Sequence, residues 1–233
     1  MDETVKATGE IAKMTGKAVD LLKEVNAFLF KILGPPAEEI GFMLQDHAKY
    51  FRYKNLIRLR DKVEAIHYQR KIEGKTIAIP PRYALPLIES ASTENNESLQ
   101  DMWAGLIANS MDPEKQLNPK RIYIQILSSL EPLDAKVLQF FTFQGWKLFR
   151  EVPGGGVTVT KLVQEIGLND EEISLSLQNL ARLGCMIDEH VPEFDTYGSS
   201  SFGKRVTEPG VTFRPSPLGF DLIKACQVVE LDD

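Results

Sequence analysis

VTVTKLVQEIGLNDEEISLSLQNLARLGCMID, residues 157–188, is the stretch whose reading decides the fold. Val157-Thr158-Val159 is β-branched throughout and reads as a short strand. Thr160 is placed to cap a small helix, Lys161 to Ile166. Gly167-Leu168 makes a turn, and Asn169 or Asp170 caps a second helix that runs through Leu183. Gly184 closes that helix, and Cys185-Met186-Ile187-Asp188 begins a strand. Upstream, Pro132-Leu133-Asp134 opens a helix through Phe143, and Gly154-Gly155-Gly156 reads as a flexible connector. Downstream, a polar loop carries Gly198, Ser199, Ser200, Ser201 and Gly203. Val211-Thr212-Phe213-Arg214 is the returning strand, and Pro217-Leu218-Gly219 opens a last helix to about Val229. Helix, helix, turn, helix, hairpin, helix is the order of a winged helix-turn-helix.

The residues before this unit are helical in pattern. Residues 4 to 33 read as a first helix with Val5, Ile11, Met14, Val19, Leu22, Val25 and Leu29 near one stripe. Gly9, Ala12 and Gly16 would permit close helix-helix approach, within the chain or between copies. The end of this helix, Ala27 to Leu33, is apolar nearly all round, including Phe28 and Phe30, as expected of a buried or membrane-contacting segment. Gly34-Pro35-Pro36 is a hard stop. A long helix is expected from about Pro36 to Glu73, broken by Gly74. Its core side should hold Ile40, Met43, Leu44, His47, Phe51, the stem of Lys54, Leu56, Leu59 and Val63. Its other side is basic and aromatic: Lys49, Arg52, Tyr53, Lys54, Arg58, Arg60 and Lys62. Residues 82 to 92 read as a helix in which Pro86 is tolerated only in the first turn. Ser98 to Ser110 is a core helix with Leu99, Met102, Trp103, Leu106 and Ile107 on one face. A further helix after Asn118-Pro119 should turn Ile122, Ile126 and Leu130 inward. The expected architecture is thus mainly α, an N-terminal helical domain over residues 1–129 and a winged-helix domain with a small β-hairpin over residues 130–233.

Composition bounds the function. The 233 residues carry a formal net charge of −6. Residues 1–82 hold 15 Lys+Arg against 11 Asp+Glu, a net of +4, and residues 83–233 hold 12 against 22, a net of −10. The acidic back argues against non-specific attachment to nucleic acid through the C-terminal half. No apolar run approaches the roughly 20 residues of a transmembrane helix. The opening MDETVKATGE lacks the features of a secretory signal, and two cysteines make no disulfide framework. A cytoplasmic protein is expected, with peripheral contact at the inner membrane as an extension.

The chemistry of catalysis is sparse. His47, His67 and His190 are far apart in sequence, and His47 and His67 would lie about 30 Å apart along one helix. There is no HExxH, CxxC or phosphate-binding glycine loop. Cys185 and Cys226 have apolar neighbours and read as buried, inert thiols. No enzyme activity and no cofactor or metal is expected. Within the winged unit the helix NDEEISLSLQNLARLG starts with Asp170, Glu171 and Glu172, which repel phosphate, while Gln178 and Asn179 could read bases. Lys204, Arg205 and Arg214 on the wing could make a few phosphate contacts. A structural or protein-binding winged helix is favoured over a DNA-binding one, with a transcriptional regulator as the alternative.

The succession KILGPPAEEIG, YFRYKNLIRLRDKVEAI, IPPRYALPLIESAS, ESLQDMWAGLIANSMDP and LEPLDAKVL, followed by EIGLNDEEISLSLQNLARLG and SPLGFDLIKAC, resembles the bacterial Abi-alpha family. The resemblance covers about Ala7 to Cys226. It departs from a minimal member in the segments Trp146 to Gly156 and Phe194 to Pro209. The resemblance implies abortive infection, a phage defence in which an infected cell stops growing or dies before the phage matures. It supplies no catalytic residues. The combined expectation is a non-enzymatic defence effector or regulator. It would act through a protein partner or a second copy, or through an anionic membrane met by Phe28, Phe30 and the basic face of the long helix.

Overall fold

A computed structural model of the chain describes residues 20, 23–34, 49–115, 117–143, 156–191 and 210–228. The chain folds as two compact units: Met1–Ser128 together with Ala225–Asp233, and Ser129–Lys224.

The first unit is helical. Its described elements are α1 (residues 23–33), α2 (Lys49–Arg70), α3 (Pro81–Thr93), α4 (Glu97–Met111) and α5 (Arg121–Leu127). α4 is its axis: every residue from Met102 to Asp112 is buried, including the largest core side chain, Trp103. Asn96 caps α4 by accepting from the Leu99 N–H at 3.2 Å. α2 packs across α4 and α3, and α5 packs on α3 and α4. α1 buries Val25, Phe28, Leu29, Ile32 and Leu33, the i, i+3, i+4, i+7, i+8 stripe of a one-sided helix. Its terminal segment is therefore amphipathic, with Phe30 and Lys31 outward. The part of the expected first helix over residues 4–19, and residues 36–48 of the long helix, lie outside the described residues.

Several local expectations are corrected. α2 ends at Arg70, three residues early, because Lys71 takes a left-handed φ of 56°. The Lys71 and Ile72 N–H groups return to the Tyr68 and His67 carbonyls at 3.1 Å each, a double closure of the last turn. The stem of Lys54 is not on the core side, since Lys54 is exposed. The neighbouring Asn55 is buried instead and donates to the Ser92 carbonyl at 3.0 Å, tying α2 to the end of α3. Pro86 lies in the second turn of α3, not the first. A proline there gives no N–H to the Arg82 carbonyl, four residues back. Ile122 is 40% exposed, and α5 turns Tyr123, Ile124, Ile126 and Leu127 inward.

The last residues of the described chain complete this unit. Asn109 donates through Nδ2 to the Ala225 and Gln227 carbonyls at 2.7 and 3.0 Å. Arg70 donates to the Val228 carbonyl at 2.9 Å. Gly105, in mid-helix, is where this backbone presses closest: a Cβ there would stand 1.9 Å from the Cys226 carbonyl oxygen.

The second unit contains α6 (Pro132–Phe143), β1 (Val157–Thr158), α7 (Val159–Ile166), α8 (Asp170–Arg182), β2 (Met186–Val191), β3 (Gly210–Pro215) and most of α9 (Pro217–Cys226). The three strands form an antiparallel sheet in the order β1-β3-β2, with Val157 opposite Phe213 and Met186 opposite Pro215. α8 packs on α6, α7 and β2. The core joins Leu138 and Phe141 of α6, Leu162 of α7, Ile173, Leu177 and Leu180 of α8, Met186 and Leu222. Thr158, not Thr160, caps α7, accepting from the Lys161 N–H at 3.3 Å. Asn169 caps α8 by accepting from the Glu172 N–H at 2.8 Å. Gly167 and Gly184 end α7 and α8 at φ of 79° and 74°, as their positions after each helix require.

Candidate functional site

The basic residues of α2 do not form one free surface. Arg60 is only 15% exposed in its side chain and pairs with Glu24 at 2.5 Å and Asp61 at 2.8 Å. Lys62 bonds Glu97 at 2.5 Å and also Asp101. Burial by itself would lower the pKa of Lys62, but the hydrogen bonds it donates to Asp101 and Glu97 outweigh this and raise it above the usual lysine value. The Lys62 bond in turn holds the Glu97 carboxyl below the usual carboxylate range. The charges of Arg60 and Lys62 are thus balanced inside the chain. Lys54 and Arg58 are exposed, Arg52 and Tyr53 half-buried, and none of the three cations has an ion pair among the described residues. The side chain of Lys49 lies outside the described residues. Of the two phenylalanines singled out, Phe28 is core at 2% exposure and is corrected as a surface residue, because it stands on the buried stripe of α1. Phe30 stands on the opposite side and is 53% exposed.

On β3, Arg214 is half-buried and donates through Nε to Glu189 at 2.7 Å, with a second bond through Nη2. Its charge is met by an acid of the adjacent strand. Lys204 and Arg205 lie outside the described residues.

α8 divides cleanly into two faces. Inward, Ser176 donates to Asp134 Oδ1 and Asn179 to Asp134 Oδ2, both at 2.6 Å. Asp134 Oδ2 also accepts from the Glu131 N–H at 2.8 Å, the reach-back of a third-position acid to the start of its own helix. Asp134 is 1% exposed, so these bonds replace the water it has lost. Asn179 is committed to Asp134, and its carbonyl oxygen accepts from Arg182 at 2.7 Å; that leaves Gln178 as the exposed amide. Outward, α8 presents Glu171, Glu172, Leu175, Gln178 and Arg182, with Leu175 68% exposed.

A second feature is a groove between α3 and α5, enclosing about 460 Å³. Leu85, Pro86 and Ile124 supply apolar lining and Arg82 and Arg121 supply charge. Arg82 lies over the Tyr83 ring at 4.5 Å from its centre. Neither arginine has an ion pair with an acid among the described residues.

His67, Cys185 and Cys226 are all buried. His67 is buried with Nε2 3.4 Å from the Ala108 carbonyl, and burial lowers its pKa. Cys185 is buried, and burial with the nearby Asp134 charge pushes its thiol up to about 11, away from the reactive thiolate. Cys226 is also buried. His47 and the side chain of His190 lie outside the described residues. Among the described residues no group of three or more His, Cys, Asp or Glu side chains is arranged to hold a metal ion, and no helix is long and apolar enough to cross a membrane.

Sequence reasoning missed Asp134 and Asn55 as structural hubs, and Leu175, Arg82 and Arg121 as surface features. Only Asp134 carried a local signal, an acid three residues into a helix opened by proline.

Compared with known proteins, residues 52–226 match a family model described as "Abortive infection alpha". No curated protein and no solved structure matches the chain.

Proposed function

The chain belongs to the abortive infection alpha family, and from that premise we propose that it is a phage-defence protein acting through contacts rather than catalysis. The second unit is read as a winged helix whose second helix, α8, has been turned from DNA to protein binding. One observation carries this reading: the outer face of α8 joins Glu171 and Glu172 to a 68% exposed Leu175, while Asn179 is held inward by Asp134. Acids repel a phosphate backbone, and an exposed leucine beside them suits a protein surface. The first unit is the effector part, a cytoplasmic helical body. Its contact with an anionic membrane would run through Phe30, Lys54 and Arg58, the members of the expected surface that stand exposed.

The test is survival of a bacterium expressing the chain and challenged with phage at low and high dose. Protection at low dose with collapse of the culture at high dose is the expected result. An unprotected culture across a broad phage panel would sink the defence reading. Flotation with anionic liposomes checks the membrane extension: a chain left in solution, with no effect of Lys54→Glu and Arg58→Glu, removes it.

A further inference from the structure

Two surface features have no occupant among the described residues, and they complement each other. The α3–α5 groove is lined by Leu85, Pro86 and Ile124 and by two guanidinium groups, Arg82 and Arg121, that have no ion pair with an acid among the described residues. Leu85 on its lining is 41% exposed, and Ile122, next to Arg121, is 40% exposed. The outer face of α8 is the opposite: an exposed leucine preceded by two acids one turn away. In a helix, Glu171 and Glu172 lie at i−4 and i−3 from Leu175, so all three share one side.

We propose that α8 of one copy docks into the α3–α5 groove of a second copy, Leu175 on the floor formed by Leu85, Pro86 and Ile124, and Glu171 and Glu172 facing Arg82 and Arg121. An amphipathic helix laid in an apolar groove is a common recognition mode, and arginine is favoured at such interfaces. The groove takes a leucine side chain, and the carboxylates meet the guanidinium groups with which they form charge-assisted hydrogen bonds. Pro86 suits the floor because it presents a ring and no N–H. The two surfaces belong to different units of the chain, so each copy offers both a helix and a groove. Such a contact builds reciprocal pairs, rings or open chains. The inference rests on reading the outer face of α8 as protein-binding.

Sedimentation velocity of the full chain at low salt, over a roughly hundredfold concentration range, tests it. The wild-type mean mass should rise with concentration to the dimer or beyond. Leu175→Asp should weaken the association about tenfold or more. The decisive arm uses two charge-reversed chains, Arg82→Glu/Arg121→Glu and Glu171→Arg/Glu172→Arg. Each repels itself and should stay monomeric, yet their mixture should associate, because each helix then meets a groove of opposite sign. Restoration on mixing also shows that neither variant has merely failed to fold. A wild type that stays monomeric, or a mixture that does not associate, overturns the docking. Phage survival scored in parallel separates the two readings. Protection by a monomeric chain overturns self-docking and leaves the defence function standing. Association restored on mixing without protection supports the docking and counts against the defence function alone.

Discussion

α2 and α8 are both highly charged helices with one buried side, yet the fold treats their charge in opposite ways. On α2 the cations nearest the core are met within the chain, Arg60 by Glu24 and Asp61, Lys62 by Glu97 and Asp101. On α8 the acids Asp170, Glu171 and Glu172 are exposed, favoured only by the helix start they occupy, and Leu175 stands out beside them. A charge count along a helix therefore says little about the surface it offers. The paired cations of α2 hold α1 and α4, whereas the outer face of α8 is left for something else.

The widest separation should come from the same residue type on the two helices. Leu59→Ala on α2, fully buried, should cost about 2–5 kcal/mol in urea unfolding, because it removes core contacts and leaves a cavity. A cost near zero would mean that the α2–α4 packing is wrong. Asp134→Ala should follow at about 2–3 kcal/mol, since it strands the Ser176 hydroxyl, the Asn179 amide and the Glu131 N–H around a buried space. Asp134→Asn should recover part of that loss, which marks hydrogen bonding as the cause.

Lys62→Met should cost less than about 1 kcal/mol, as for other part-exposed ion pairs, and the cost should fall in high salt. Its pH dependence has a definite sign. The Glu97 carboxyl is depressed in the folded state, so its contribution is full above the ordinary carboxylate pKa and is lost as pH falls through the lowered value. Lys62 is raised, so its contribution is full below the ordinary lysine pKa and is lost as pH rises through the raised value. Thermal melts from acid to strongly alkaline pH should show wild type and variant converging at both ends. The smallest effect is expected of Leu175→Ser: stability within about 0.5 kcal/mol of wild type, with association lost. A large loss of stability there would show that Leu175 supports the fold and would erase the contrast with Leu59.

Much of the local structure was legible in the residues. Asn169 caps a helix and Gly167 and Gly184 end two, because caps and left-handed stops depend on short-range geometry. The misplacements have equally physical causes. Lys71 rather than Gly74 ends α2, since tertiary burial of Ile72 rewards a left-handed turn that an isolated lysine would avoid. Pro86 sits a turn deeper than a free helix would allow, where packing of α3 on α2 offsets the missing bond. Asn55 was invisible because its partner, the Ser92 carbonyl, lies 37 residues away. The candidate surface was legible as a list of basic and acidic residues and not as a site. Arg60 and Lys62 look no different in sequence from Lys54 and Arg58, and only packing decides which cations meet acids.

By itself the amino-acid order determined the helical character of the chain, the strand-helix-turn-helix-strand order of the C-terminal half and the sign of charge on each helix. Those properties follow from periodicity, caps and composition, which act over a few residues. The tertiary structure alone decided that α4 is the buried axis, that Phe28 is core while Phe30 is surface, that Asn179 turns inward to Asp134, and that Leu175 is left uncovered. Burial and ion pairing depend on which residues distant in sequence come within a few ångströms, and no short-range rule contains that information.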